Sequence, residues 1–596
     1  MISTVKKIFL MLTLRERRRF YLLAVAIVIM AFTEVVGIGS LNPFLSVAMD
    51  PAAVEGSTLL SFLHDRFDFS TPTQFIAFLG FGVVFLIILR NATAAIVKYM
   101  ELRFGQMRDY SLSTRLLTKY LSHPYVFFLN QNTSELSQNV LSEIQILVNQ
   151  CLIPCLELIA RVVVAISIVA LLIAVNPLIA GLTATILGTA YTTVYFIVRR
   201  LLHRLGKKRL EKNRLRYKIV SEALGGVKDV KLLGKEQVFL TEYRRPAREM
   251  ARSHAAIEVI GSMPKFMLET LAFSAVVLLI SVLSFSGDLN QAIPLVGVYS
   301  VAGYRLMPTM ERIFRNVAKI RGTQAVVDKL YEFLREPNRI TLPDTSLIGE
   351  PLRFAERIEL DGVRFRYPSA ESDVIRGSSM VITKNSIVGF VGPTGCGKTT
   401  LVDIILGLLS PTAGRILVDG VEVGAGNVKR WQGNLGYVPQ HIYLADDTIA
   451  RNIAFGVPEH DIDIDRVSDA ARIANLRTFI EEELPDGYDT LVGERGVRLS
   501  GGQRQRIGIA RALYNDPAVL IMDEATSALD GITEQVIMDA IDTLAGTKTI
   551  VLIAHRLTTL RDADCIFMMD RGEIVARGSY QELLSTNATF RKMNKT

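Results

Sequence analysis

Cysteine is scarce in this sequence, with four in 596 residues. Cys151 and Cys155 fall one helical turn apart in an apolar stretch, where they read as packing residues rather than as a disulfide framework. Cys396 and Cys565 read as reduced thiols of an interior compartment. Tryptophan occurs once. Acidic charge is missing from particular places. Residues 1–19 set Lys6, Lys7, Arg15, Arg17, Arg18 and Arg19 against the single acid Glu16, and residues 199–218 hold ten Lys or Arg and one acid. The net charge of +8 could point to nucleic acid. Much of the basic charge flanks apolar runs, however, where it reads as membrane topology, so no nucleic-acid partner is expected.

Apolar residues are abundant. They make up 49% of the chain, the mean hydropathy is +0.30, and the excess sits before about residue 310 in runs long enough to span a bilayer. Six spans are placed at about 20–48, 75–97, 147–175, 178–198, 265–285 and 291–311. The loop 50–72 is acidic, and the turns at Asn176-Pro177 and Ser286-Gly287-Asp288 carry no basic residue. The positive-inside rule then puts both termini and the basic segments in the cytoplasm. Residues 1–19 read as an interfacial helix on the inner leaflet. The length of the run from Phe20 to Met49 and the spans that follow argue against a signal peptide. Segments 98–146 and 199–264 lack turn clusters and read as helices continuing below the membrane. Each is broken once, at His123-Pro124-Tyr125 and at Gly225-Gly226. Both tips fit either a contact with the next domain or a plain turn. Pro337, Pro343, Gly349 and Pro351 mark a linker, after which short β-branched runs alternate with helices, an α/β pattern.

Within that α/β segment, Gly392-Pro393-Thr394-Gly395-Cys396-Gly397-Lys398-Thr399, followed by Thr400, fits the phosphate-loop pattern G-x-x-x-x-G-K-[ST]. A strand precedes it and a helix follows, as the motif requires. Glycines let backbone N–H groups close on phosphate oxygens, and the helix start adds partial positive charge. Lys398 would reach the β- and γ-phosphates of ATP, and Thr399 would hold Mg²⁺. Downstream, Val519-Leu520-Ile521-Met522 ends in Asp523-Glu524. Asp523 is a Mg²⁺ ligand candidate and Glu524 a candidate general base for the attacking water. Ser500-Gly501-Gly502-Gln503 opens another helix and makes a second anion cradle. One ATP needs both cradles only if the second comes from another subunit.

These residues resemble the nucleotide-binding domain of ATP-binding cassette proteins. Leu499–Gln503 matches the family's signature motif and Gln440 its glutamine loop, which contacts Mg²⁺ and the membrane domain. Ser527–Asp530 matches the loop pairing two halves, His555 the switch histidine, and Tyr367 the aromatic that stacks on adenine. The resemblance implies a multi-domain membrane protein. A six-helix all-α transmembrane exporter domain (1–330, with the interfacial helix) would lead through a linker (331–350) into an α/β cassette domain (351–596). It further implies ATP and Mg²⁺ as cofactors, hydrolysis at Glu524 and His555, and a homodimer in the cytoplasmic membrane with two composite ATP sites.

Charge inside spans is costly, so intramembrane cations are functional candidates. Arg90 lies about 15 residues inward from Phe75, Arg305 about 14 from Gln291 and Lys265 about 20 from Phe285, which at about 1.5 Å per residue is roughly 20–30 Å from the outer surface. Together they suit an anionic headgroup on a membrane lipid. Pairing at i, i+4 (Glu157-Arg161, Lys265-Glu269) is the structural alternative. The segment Glu34–Ser40, the stretch Lys228–Glu236 and these cations resemble bacterial lipid-linked oligosaccharide flippases of the protein-glycosylation type. That implies export of a polyprenyl-pyrophosphate-linked oligosaccharide. Exporters of drugs, glycolipids or peptides, and an ATP-gated channel or regulator, stay open as alternatives.

Overall fold

The computed structural model describes residues 2–594 except 41–43, 45, 46, 49–53, 55–57, 68, 70, 176, 287, 288, 336–348, 525–530 and 555, with backbone alone over much of 271–305. The chain forms two compact units. One comprises Met1–His123 with Gln131–Leu342, the other Pro124–Asn130 with Pro343–Thr596.

The first unit is helical. Its long elements are Leu14–Gly39, Pro72–Leu121, a run from Thr133 to Val175, Pro177–Gly225, Glu236–Ser286 and Leu289–Gly322. Punctuation residues set several starts. Pro72 follows an extended Thr71, Asn132 caps the next run by accepting from the Ser134 N–H at 3.0 Å, and Pro177 opens another helix. Among the described residues, Pro72–Leu121 and Thr133–Ala170 are long and apolar enough to cross a membrane. Phe81, Phe85 and Ile88 on the first are 78%, 64% and 61% exposed, which suits hydrocarbon rather than water.

The N-terminal helix Ile2–Met11 departs from the expected interfacial role in one respect. Ile8, Met11 and Leu12 are buried in protein, and Lys7 Nζ bonds Asp328 at 2.6 Å on the Gln324–Arg335 helix. Leu10 and Leu14 remain exposed. Glu16, the lone acid of this segment, is buried. It accepts from the Thr13 N–H at 2.7 Å and from Ser111 Oγ at 2.7 Å, and it pairs with Arg108. It thereby ties Leu14–Gly39 to Pro72–Leu121. The run from Thr133 contains two π-helical segments, Asn139–Glu143 and Val148–Leu152, and the buried Glu143 there accepts from Gln138 Nε2 at 2.6 Å and Asn213 Nδ2 at 2.9 Å.

The second unit is α/β. A six-stranded sheet runs β10-β9-β3-β8-β7-β6. Its strands β3 (Ile387–Val391), β6 (Leu435–Val438), β7 (Val519–Asp523), β8 (Thr549–Ile553) and β9 (Cys565–Asp570) are parallel, and β10 (Glu573–Gly578) is antiparallel at one edge. A four-stranded antiparallel sheet adds β2 (Ile375–Thr383), β1 (Arg357–Phe365), β4 (Ala413–Val418) and β5 (Val421–Glu422).

Alternation along the parallel strands splits their side chains between two cores. Leu520, Met522, Ile550, Leu552, Ile566 and Met568 join Ile507, Ala510 and Leu513 of the Gly501–Leu513 helix. Val519, Ile521, Val551, Ile553, Phe567 and Met569 join Leu401, Val402 and Ile405 of the Lys398–Ile405 helix. The two helices therefore pack on opposite faces of one sheet.

Candidate functional site

In parallel sheets ligands gather beyond the carboxyl ends of the strands. Here β3 ends in the glycine loop and β7 ends in Asp523-Glu524, with β8 between them. Gly392, Gly395 and Gly397 take φ of 154°, 80° and 107°. At Gly392 any side chain is excluded twice, because a Cβ would also lie 2.2 Å from the Met569 carbonyl. Pro393, Thr394, Gly395 and Thr399 face outward, while Cys396, Gly397, Lys398 and Thr400 are buried. The Lys398 ammonium folds back onto its own loop, donating to the carbonyls of Gly392 at 2.7 Å and Pro393 at 3.2 Å. A phosphate entering the loop competes with those carbonyls for the same donor.

Tyr367 shares a hydrogen bond between its hydroxyl and Thr400 Oγ1 at 3.0 Å and sits edge-on to Phe365. The aromatic expected beside adenine is thus next to the phosphate-loop helix. Asp523 is 5% exposed. Glu524 follows with φ 50°, a left-handed conformation uncommon outside glycine and concentrated at functional sites. Gln440 Nε2 donates to Glu524 Oε2, so the glutamine loop and the candidate base are in contact. Asp523, Thr399 and Gln440 offer oxygen donors of the hard type that Mg²⁺ takes. His555 and Ser527–Asp530 lie outside the described residues.

Two residues, Asp403 and Tyr437, were given no role in the sequence reading, and Tyr125 was read only as part of a chain break. Asp403, on the phosphate-loop helix, is 8% exposed. Burial, reinforced by Asp523, pushes its carboxyl up to about 6. The Tyr437 phenol is raised by burial and then by Asp523 and Asp403. Tyr125 is raised by burial, then by Asp403 and Tyr367. Tyr125 belongs to the short helix Tyr125–Leu129, whose Val126 packs on the same core as the phosphate-loop helix. For Asp403 the legible signal was an acid inside the apolar run 401–409.

The second cradle caps itself. Ser500 Oγ accepts from the Gln503 N–H at 3.2 Å, and Gln503 Oε1 accepts from the Ser500 N–H at 2.8 Å, a reciprocal capping box. Gly501 is exposed and Gly502 half-buried, leaving their N–H groups at the open helix start.

In the first unit, Lys265 Nζ lies 4.0 Å from Glu269. Arg90 is half-buried on Pro72–Leu121. Arg305 lies on the Leu289–Gly322 helix with its side chain outside the described residues. Glu157 meets Lys98 at 3.5 Å and Asn316 Nδ2 at 3.3 Å.

Comparison with known proteins agrees with both units. Residues 375–527 match the ABC transporter family model and residues 21–297 the ABC transporter transmembrane region. The ATP-dependent lipid A-core flippase of Cupriavidus metallidurans is 32% identical over 70% of this chain and 69% of its own length. The heterocyst differentiation ATP-binding protein HepA of Nostoc sp. is 33% identical over 63% of this chain. The match spans 61% of HepA, and 63% of a lipid A-core flippase from Alkalilimnicola ehrlichii. A solved bacterial Atm1-family ABC exporter with ATP bound shares the fold, with TM-score 0.77 over 97% of both chains at 24% identity. By its paired matches and its order of domains, this chain belongs to the ABC transporter family, with a transmembrane region followed by a nucleotide-binding domain.

Proposed function

We propose that two copies of this chain bind two ATP molecules between their cassette domains and use hydrolysis to move an amphipathic lipid-linked substrate across the cytoplasmic membrane. The observation that carries the ATP half is the opposed placement of the two cradles. The glycine loop leads into a helix on one face of the sheet and the Ser500 loop into a helix on the other. A single domain does not close both on one nucleotide, and a second copy supplies the missing half. The exposed tip Leu232-Leu233, 80% and 65% accessible, is a further apolar surface that a second copy would cover.

In this reading residues 1–330 cross the membrane, 331–350 link, and 351–596 form the engine, with both termini in the cytoplasm. Gly392–Thr400 hold the phosphates, with Lys398 turning from its own carbonyls to the β- and γ-oxygens. Tyr367 flanks the base of the nucleotide. Ser500, Gly501, Gly502 and Gln503 of the second copy close from the other side. Mg²⁺, held by Thr399, Gln440 and Asp523, would neutralise developing phosphate charge. Glu524 accepts the proton of the attacking water, and His555 would sense the γ-phosphate. ATP acts by binding the closed dimer better than the open one.

For cargo we propose a polyprenyl-pyrophosphate-linked oligosaccharide, delivered to the outer leaflet, with its diphosphate met by Arg90, Lys265 and Arg305. Support comes from the depth of these cations in the spans and from relatives named as lipid flippases. Those names also favour a second reading, a glycolipid of the lipid A class. Liposomes carrying the purified chain and a fluorescent lipid-linked oligosaccharide test this. ATP-dependent movement between leaflets, lost in Glu524→Gln, is expected. Unchanged rates in Arg90→Ala and Arg305→Ala would remove the cationic-cavity argument, and movement of glycolipid alone would select the second reading.

A further inference from the structure

The basic run 199–218 has two electrostatic regimes. Farther from the span, four of its cations meet carboxylates. Lys208 and Lys212 both meet Glu249, at 3.3 and 3.5 Å, Arg214 meets Glu135 at 2.6 Å, and Lys218 meets Glu222 at 3.6 Å. At the end nearest the span, no described carboxylate pairs with Arg199, Arg200 or Arg204. Arg199 instead lies over the Phe196 ring at 4.6 Å. Charge that served only as topology or as a solvated face would not sort itself in this way.

The unneutralised end lines a cavity of about 420 Å³, bounded by Arg199, Arg200, His203, Arg204, Arg321 and Gln324. The last two come from a distant part of the chain. Arg321 ends the Leu289–Gly322 helix, and its Nη1 donates to Gln324 Oε1 at 3.3 Å. A glycine crossing brings them in. At Gly206 a Cβ would lie 2.1 Å from the Gly322 carbonyl, so the two helix backbones touch there. Leu202, Ile257 and Ala318 seal the crossing in a small apolar cluster. The contact holds Arg321 beside the Arg199–Arg204 turn. Arg200 and Arg204 are also one turn apart, a spacing that repels. An anion in the cavity relieves the repulsion between Arg200 and Arg204.

We propose that this cavity binds the phosphate group of an anionic phospholipid from the cytoplasmic leaflet, as a resident ligand and independently of the cargo. Its level fits, because Arg199 directly follows the span 178–198 and stands where headgroups lie. Its chemistry fits, because guanidinium forks take phosphate oxygens in pairs. Basic pockets between membrane helices on the cytoplasmic side are a recurrent setting for such headgroups.

Native mass spectrometry of the purified full chain, titrated with phosphatidylglycerol and with phosphatidylcholine, tests the assignment. Phosphatidylglycerol is expected to be retained preferentially. Arg200→Ala with Arg204→Ala should weaken it by about 30-fold, at roughly one decade and a half for two basic contacts. Arg200→Lys with Arg204→Lys should keep most of the affinity, and thermal unfolding of both variants should match the parent. Lys207→Ala, an exposed cation beyond the cavity, should change nothing. Equal binding of the two lipids, full retention in the double alanine variant, or an equal loss in Lys207→Ala would each overturn the site. If inorganic phosphate binds as tightly as phosphatidylglycerol with the same arginine dependence, the ligand is a soluble phosphate and the lipid assignment fails.

Discussion

The two anion cradles of the cassette domain are built on different principles. The loop after β3 owes its shape to backbone geometry. Three glycines hold positive φ, a neighbouring carbonyl leaves no room for a Cβ at Gly392, and a lysine pinned to two carbonyls closes the ring. The Ser500 loop owes its shape to side chains, a serine and a glutamine that cap one helix start. The first cradle is preformed by constraints that few substitutions satisfy. The second is held by two ordinary hydrogen bonds, and its glycine N–H groups stay open to a partner. In the proposed dimer, a site closed by association would gain from one rigid half and one adaptable half.

Substitutions can break this contrast. The largest effect is expected from Lys398→Ala, which should lower ATP turnover by more than about 100-fold, a loss of the size seen when a key transition-state donor is removed. Steady-state phosphate release measures it, and retained turnover would contradict the role given to the loop. Gly392→Ala comes next. Positive φ and the clash with Met569 should destabilise the domain by about 3 kcal/mol, read by denaturant unfolding.

Asp403→Asn sharpens the contrast from the opposite direction. The Asp403 carboxyl is raised from 3.8 to about 6 in the folded domain. Its protonated form is favoured on folding, so its contribution is fully present below about pH 4 and is lost as pH rises through about 6. The asparagine variant should therefore be more stable than the parent at pH 7.5 by about 2 kcal/mol without nucleotide. The gap should vanish below about pH 4. Unfolding midpoints across that range decide it, and an asparagine benefit that grows toward acid would reverse the sign. The smallest change is Ser500→Ala, which removes half of the capping box for about 1 kcal/mol of stability. If it costs more than Gly392→Ala, the second cradle is the stiffer one and the comparison inverts.

Much of this was legible in the chain. The apolar runs 387–391 and 519–522 sit on strands buried on both faces, as parallel strands between helices must be. The glycine loop could be read because its geometry tolerates so few residues. What stayed hidden depended on distant partners. The run 199–218 looked uniformly basic because Glu135 and Glu249, which neutralise part of it, are far away in sequence. Asp403 looked like one acid in an apolar helix because Asp523 reaches it only through the sheet. The two chain breaks looked alike, yet Val126 packs into the cassette core while Leu232 and Leu233 are exposed. Two π-helical segments inside the Thr133 run left no trace in its hydrophobic period.

The hydrogen bond from Gln440 to Glu524 has a bearing on economy of action. The amide occupies a carboxylate acceptor site that the attacking water would use in the proposed hydrolysis. A membrane engine that turned over whenever nucleotide drifted in would dissipate its supply without moving anything. With Gln440 engaged, that acceptor site is taken. Because the glutamine loop is the segment expected to sense the membrane helices, release of that amide would let turnover wait until there is a load to carry.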